Sequence, residues 1–119
     1  MTYVDGYVLP VPKNKLDVYR KIATKAGKIW KEHGALEYKE CAADDMNTGF
    51  GVPFPKMMKL KAGETLIFAF VVFKSRAHRD KVNAKVMKDP RLTAGMEAAD
   101  MPFDCKRMVY GGFKSIVDF

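Results

Sequence analysis

Residues Leu66 to Phe73, LIFAFVVF, are apolar at every position. Side chains alternate across a strand, so Leu66, Phe68, Phe70 and Val72 share one face while Ile67, Ala69, Val71 and Phe73 share the other. A strand with one wet side would alternate apolar with polar residues, so this one is expected to be covered on both sides. A chain of 119 residues has material for a single domain, 1–119, with one helical layer against a sheet. The second cover is then most economically a partner chain.

The remaining segments arrange themselves around this strand. Tyr3 to Val11 is rich in Tyr and Val and closes at Pro10 and Pro12, which predicts a strand at an edge or with its end there. Asn14 is placed to cap a helix, and Asp17 adds negative charge near its positive N-terminus. Leu16, Tyr19, Ile22, Ala23, Ala26, Ile29, Trp30 and His33 then form one apolar stripe, stopped by Gly34. Ala35 to Ala43 predicts a second strand, with Leu36, Tyr38 and Glu40 on one side and Glu37, Lys39 and Cys41 on a wetter one. Residues 44–63 keep neither period and are read as a hairpin extension with Phe50, Phe54, Met57 and Met58 tucked onto the core, with a lid or a dimer arm as the alternatives.

Beyond the central strand, Ser75 is expected to cap a second helix that ends before Pro90, with His78, Val82 and Val86 in an i, i+4 row. Arg91 to Asp104 reads as a short helical turn or irregular segment. Arg107 to Phe119 reads as a last strand, with Gly111 and Gly112 marking a bulge or a close backbone approach. The order is that of an α+β, ferredoxin-like β-α-β-β-α-β fold: a four-stranded antiparallel sheet with both helices on one face. The face carrying Leu66, Phe68, Phe70 and Val72 is left to a second copy, making the protein its own partner in a two-fold homodimer.

Charge and composition narrow the function classes. The net charge of +7 suggests phosphate binding, but the Lys and Arg residues are spread over two helices and a loop without any Arg-rich tract, which favours solvated faces over a nucleic-acid site. The two cysteines, Cys41 and Cys105, are expected to be reduced thiols. The N-terminus lacks the pattern of a signal peptide, and no apolar run approaches the about 20 residues needed to span a membrane, so a soluble cytoplasmic protein is expected.

Three stretches carry a family resemblance: DGYVLPVP (5–12), LKAGETLIFAFVVFKSRAHRDKVNAKVMKDPR (60–91) and VYGGFKSIVDF (109–119). They resemble the small bacterial YbaA-like proteins of unknown function. The resemblance implies the dimeric α/β barrel, in which two ferredoxin-like sheets pack face to face. That superfamily includes cofactor-free monooxygenases, dehydratases, haem proteins related to chlorite dismutase and stress proteins, so membership assigns no reaction. RNA-recognition motifs share the strand order and an aromatic third strand, and residues 66–73 match the last six positions of that signature. Leu66 stands where a basic residue belongs, Ile67 replaces the glycine and Val72 adds aliphatic surface, all of which favour a dry sheet interface.

No P-loop, dinucleotide fingerprint, metalloprotease helix or nucleophile elbow occurs in the chain, and no paired Cys or His stands at metal spacing. Neither a metal nor a cofactor is expected. His33, beside Trp30 at a helix end, is the one candidate acid or base, against a structural role tied to helix-end carbonyls. His78, in a helical first turn, is expected to be neutral and packed. The leading functional expectation is a small apolar or aromatic metabolite bound without metal by Trp30, His33 and Tyr38. The alternatives are an RNA-binding module using Phe68 and Phe70, and a structural or stress-related dimer without ligand.

Overall fold

The computed structural model describes residues 1–93 and 101–119. Strands β1 (Tyr3–Pro12), β2 (Glu37–Ala42), β3 (Glu64–Phe73) and β4 (Val109–Lys114) form one antiparallel sheet in the order β2-β3-β1-β4. Helices α1 (Leu16–Glu32) and α3 (Arg76–Lys88) cover one face. The short helical turn α4 (Pro90–Thr93) follows α3 and packs Leu92 against the same core, while α2 (Phe54–Met57) lies in the 44–63 segment. The architecture is therefore α+β with an open antiparallel sheet.

The alternation read from the sequence decides which face is which. Ile67, Ala69, Val71 and Phe73 point to the helices, where Phe73 and Val71 pack with Ile29, Val82 and Val86, and Ile67 and Ala69 with Leu9, Val11 and Tyr19. Leu66, Phe68, Phe70 and Val72 lie on the other face with Val4 and Val8 of β1 and Val109 and Phe113 of β4, as the strand registers require. This face is only partly covered within the chain. Leu66 is 3% exposed, whereas Phe68 is 47% and Phe113 63% exposed. The partial cover comes from the 44–63 segment, whose α2 sets Phe54 edge-on against Phe68 at 6.4 Å. Phe50 and Met57 of the same segment stand exposed rather than tucked onto the core. Apolar residues in a short irregular segment are spaced by no period, so their count does not reveal which of them reach the sheet.

Several local expectations change in detail. β1 lies inside the sheet and is not an edge, so of the two readings of its prolines the strand end is the one that holds: β1 ends at Pro12. Its prolines are tolerated because β4 pairs only with Tyr3 to Val8, leaving the Pro10–Pro12 end without a ladder on that side. Asn14 does not cap α1; it lies in a 3-10 turn, Lys13–Lys15, that leads into the helix with no side-chain cap. Asp17 does sit in the first turn, and Gly34, at φ 118°, ends the helix in a conformation that favours glycine. Ser75 caps α3 as expected, its hydroxyl accepting the His78 N–H. Gly111 and Gly112 form no bulge. They stay in register opposite Gly6 and Asp5, and a Cβ on Gly112 would collide with the Tyr3 side chain, so the close backbone approach is the correct reading. Of the Arg91 to Asp104 segment, residues 94–100, including Gly95, lie outside the described residues.

Candidate functional site

α1 and β2 together place three polar groups beneath the helix. Tyr38 and Glu40 share the helix-facing side of β2, two residues apart, and Tyr19 descends from the first turns of α1. Both phenol hydroxyls donate to Glu40, Tyr19 to Oε1 and Tyr38 to Oε2, so the carboxylate accepts on both oxygens. Among the described residues Glu40 makes no ion pair. A glycine makes room for the arrangement: a Cβ on Gly27 of α1 would stand 2.8 Å from the Tyr38 ring, so only a bare backbone lets the helix seat on that ring.

Two cavities meet at this cluster. The outer one, about 810 Å³, runs along α1 and is edged by Arg20, Lys28 and Lys31. The inner one, about 450 Å³, lies between α1 and the sheet, with Tyr7, Trp30, Tyr38 and Phe103 among its walls and Glu40 at its floor. Its volume lies in the ordinary range for small-molecule sites. Trp30 and Tyr38 pack at 6.0 Å between ring centroids, and Phe103 meets Tyr19 edge-on at 5.6 Å.

Behind Trp30 stands a polar network. The indole N–H donates to Asn83 Oδ1 at 3.0 Å, Asn83 Nδ2 donates to Asp5 Oδ2 at 3.3 Å, and Arg79 donates to Asp5 Oδ1 at 2.8 Å while stacking over Tyr3 at 4.8 Å. Asp5 is 3% exposed and carries this charge below the helices. The network fixes the Trp30 ring by its only donor.

The structure thus brings together two of the three residues expected to bind ligand, Trp30 and Tyr38, and places the third elsewhere. His33 lies at the C-terminal cap of α1, where its Nε2 is 2.8 Å from Asp89 Oδ2, and it does not line either cavity. Hydrogen bonds from Arg91 and from His33 hold the Asp89 carboxyl well below the usual carboxylate range. His78 takes the packed position expected of it: Lys74 N–H donates to its Nδ1 at 3.0 Å, which requires a free lone pair there, and its ring meets Phe73 edge-on. Cys41 and Cys105 are free and exposed, and Cys105 lines the inner cavity. No group of three or more His, Cys, Asp or Glu able to hold a metal occurs among the described residues, and no helix among them is long and apolar enough to cross a membrane. Sequence reasoning passed over Glu40, Tyr19, Asp5, Arg79 and Asn83 as site residues. The one available signal was the i, i+2 spacing of Tyr38 and Glu40 on one strand side.

Burial raises the titration of all three phenols. Tyr7 is pushed up to about 12, by burial first and then by the Asp5 charge. Tyr19 and Tyr38 rise further, each by burial reinforced by the Glu40 charge and hydrogen bond. The unfolded phenols ionise near 10.0, so the unfolded chain loses protons before the folded one does. Stability from these groups is therefore complete below pH 10 and declines as pH rises from there through the folded values. In an alkaline titration the tyrosinate absorbance of these residues is expected to appear together with loss of far-ultraviolet circular dichroism. Full ionisation of every tyrosine with the secondary structure intact would contradict this reading.

A family model described as "Protein of unknown function (DUF1428)" matches residues 2–105. Proteins named "Uncharacterized protein YbaA", from Escherichia coli strain K12 and from Shigella flexneri, are 45% identical over 118 residues, with 99% of each chain covered. Among solved structures, the de novo designed protein Foldit4 aligns with a TM-score of 0.47 at 8% identity, over 97% of this chain and 99% of its own, and nothing further rests on that likeness. The family match and the full-length identity agree with the resemblance carried by residues 5–12, 60–91 and 109–119, and the chain belongs to this YbaA-like family of unknown function, DUF1428.

Proposed function

We propose that the protein binds a small apolar or aromatic metabolite in the inner cavity between α1 and the sheet. The observation that carries this is the pairing of an aromatic-walled cavity of about 450 Å³ with one carboxylate oriented by two phenols at its floor. Apolar walls with a few fixed polar groups are the common composition of ligand sites. A filled hydrophobic core would need neither the space nor a half-buried Glu40 oriented by two phenols. In a thermal-shift screen of small aromatic and aliphatic compounds, at least one class is expected to raise the Tm of the wild type, with the effect lost in Trp30→Ala. His33→Ala should leave that binding in place, because its ring is turned to Asp89. If no compound in any class binds, the cavity is not a ligand site.

The subunit is read as ferredoxin-like and the assembly as a homodimer closed by the open sheet faces into a dimeric α/β barrel. Support comes from the antiparallel order β2-β3-β1-β4 with α1 and α3 on one side, and from the exposed apolar side chains of Phe68, Val109 and Phe113 on the other. The same face of β2 presents Glu37 and Lys39, a pair that can meet its own mate across a two-fold axis. An RNA platform is the less favoured use of this face. Val4, Val8, Val72 and Val109 surround the phenylalanines, and stacked bases gain little from aliphatic neighbours. The two exposed, unbridged thiols suit a reducing cytoplasm.

A further inference from the structure

We propose that the ligand of the inner cavity is an organic cation, an ammonium group on a small apolar or aromatic body. This rests on the reading of that cavity as a ligand site, and it concerns the chemistry the site selects. Among the described residues that line it, Glu40 is the one carboxylate, and neither Lys nor Arg is among them. Its two oxygens receive hydroxyl hydrogen bonds, which orient a carboxylate without neutralising it. No ion pair within the described chain balances its charge. A half-buried carboxylate with no direct ion-pair partner, set beside apolar walls, loses part of its hydration, and a ligand bearing the opposite charge offsets that cost on binding.

The walls point the same way. Tyr7, Tyr19, Trp30, Tyr38 and Phe103 place five aromatic rings around the space. Aromatic faces attract cations through their quadrupole, and cages of Trp and Tyr are a recurrent way of holding alkylated ammonium groups. An anionic ligand would meet Glu40 directly and find no positive side chain among the described residues that line the inner cavity. Glu40 also borders the outer cavity, whose edge carries Arg20, Lys28 and Lys31, but these three are exposed to solvent and none of them lines the inner cavity. The two phenols are held neutral and keep donating, so Glu40 is fixed as the acceptor that an N–H donor or a methylated ammonium approaches.

The test compares three probes of one shape on the wild-type protein by isothermal titration calorimetry: 2-phenylethylammonium, 2-phenylethanol and 3-phenylpropanoate. The ammonium probe is expected to bind about tenfold more tightly than the alcohol, the effect of one good cation site. The carboxylate probe should bind more weakly still. Glu40→Gln, which keeps an acceptor but removes the charge, should narrow the gap between the ammonium and the alcohol to the share the aromatic rings supply. An undiminished gap would show that Glu40 does not select the charge. If the alcohol or the carboxylate binds as well as the ammonium, the cavity is a ligand site but not a cation site, and this inference falls alone. If none of the three binds, this inference falls, and the ligand-site reading is decided separately by the thermal-shift screen of aromatic and aliphatic classes. The primary comparison is made on the unaltered chain, so a poorly folding variant does not obscure it.

Discussion

Replacing Arg79 by alanine is expected to destabilise the fold by about 3 kcal/mol, toward the low end of the cost of breaking a buried ion pair. Its partner Asp5 is only 3% exposed and is held on both oxygens, by Arg79 at 2.8 Å and by Asn83 at 3.3 Å. Removing the guanidinium leaves a buried carboxylate with a single amide donor, and that residual charge, not the lost contact, accounts for most of the penalty. The low end is expected because the Arg79 side chain keeps 19% of its surface in contact with solvent, which water can exploit. The joint replacement Asp5→Asn with Arg79→Met removes both charges at similar volume and should recover most of the loss. Urea unfolding at neutral pH of the wild type, Asp5→Asn, Arg79→Met and the double variant provides the cycle, with Arg79→Ala measured beside it. A single-mutant cost below about 1 kcal/mol would show that Asp5 is not held by this pair. Trp30 offers a second readout, since its indole hangs on Asn83 and its fluorescence should shift in Arg79→Ala even where the chain remains folded.

The second large effect concerns assembly. Wild-type protein is expected to sediment at twice the chain mass of 13.4 kDa, and Phe68→Asp at the chain mass itself, with unchanged circular dichroism. Phe68 stands on the open sheet face at 47% exposure, so the substitution costs the single chain little. Across a two-fold interface it sets two carboxylates among apolar side chains, and like charges in such a setting cost several kcal/mol, a weakening of more than about a hundredfold. Wild-type protein running as a monomer at micromolar concentration would remove the dimer from the account. Were Phe68→Asp to remain dimeric, another surface would have to hold the copies together.

What could be read from residues alone follows the reach of each signal. The period-two pattern of Leu66 to Phe73 and the stripe from Leu16 to Ile29 correctly assign faces, because burial repeats along each element. Pro10 and Pro12 marked the end of β1, as one of their two readings held, because a proline reports a missing ladder on one side; it does not report the strand's place in the sheet. Asn14 satisfied the cap rule in composition, yet the chain enters α1 through a 3-10 turn that makes the cap unnecessary. His33 followed the stripe's spacing, but at the end of a helix the nearest partner comes from another element, here Asp89 after α3. Glu40 was hidden for the same reason: its meaning depends on Tyr19, which reaches it from a different element, and no local pattern encodes that meeting.

The contact between Gly27 and Tyr38 has a further consequence for what the cavity can admit. A cavity walled by rotamers can be widened by trimming a neighbour, because side chains swing aside at little cost. Here one wall is a ring resting against bare helical backbone, and its hydroxyl is tied to Glu40. At this wall the clearance of the site is therefore gauged by the distance between a helix axis and a strand. Trimming a neighbouring side chain leaves that dimension alone, whereas a Cβ on Gly27 would change it. Selectivity for ligand size would then be inherited from the scaffold, while selectivity for ligand charge stays in one exchangeable carboxylate.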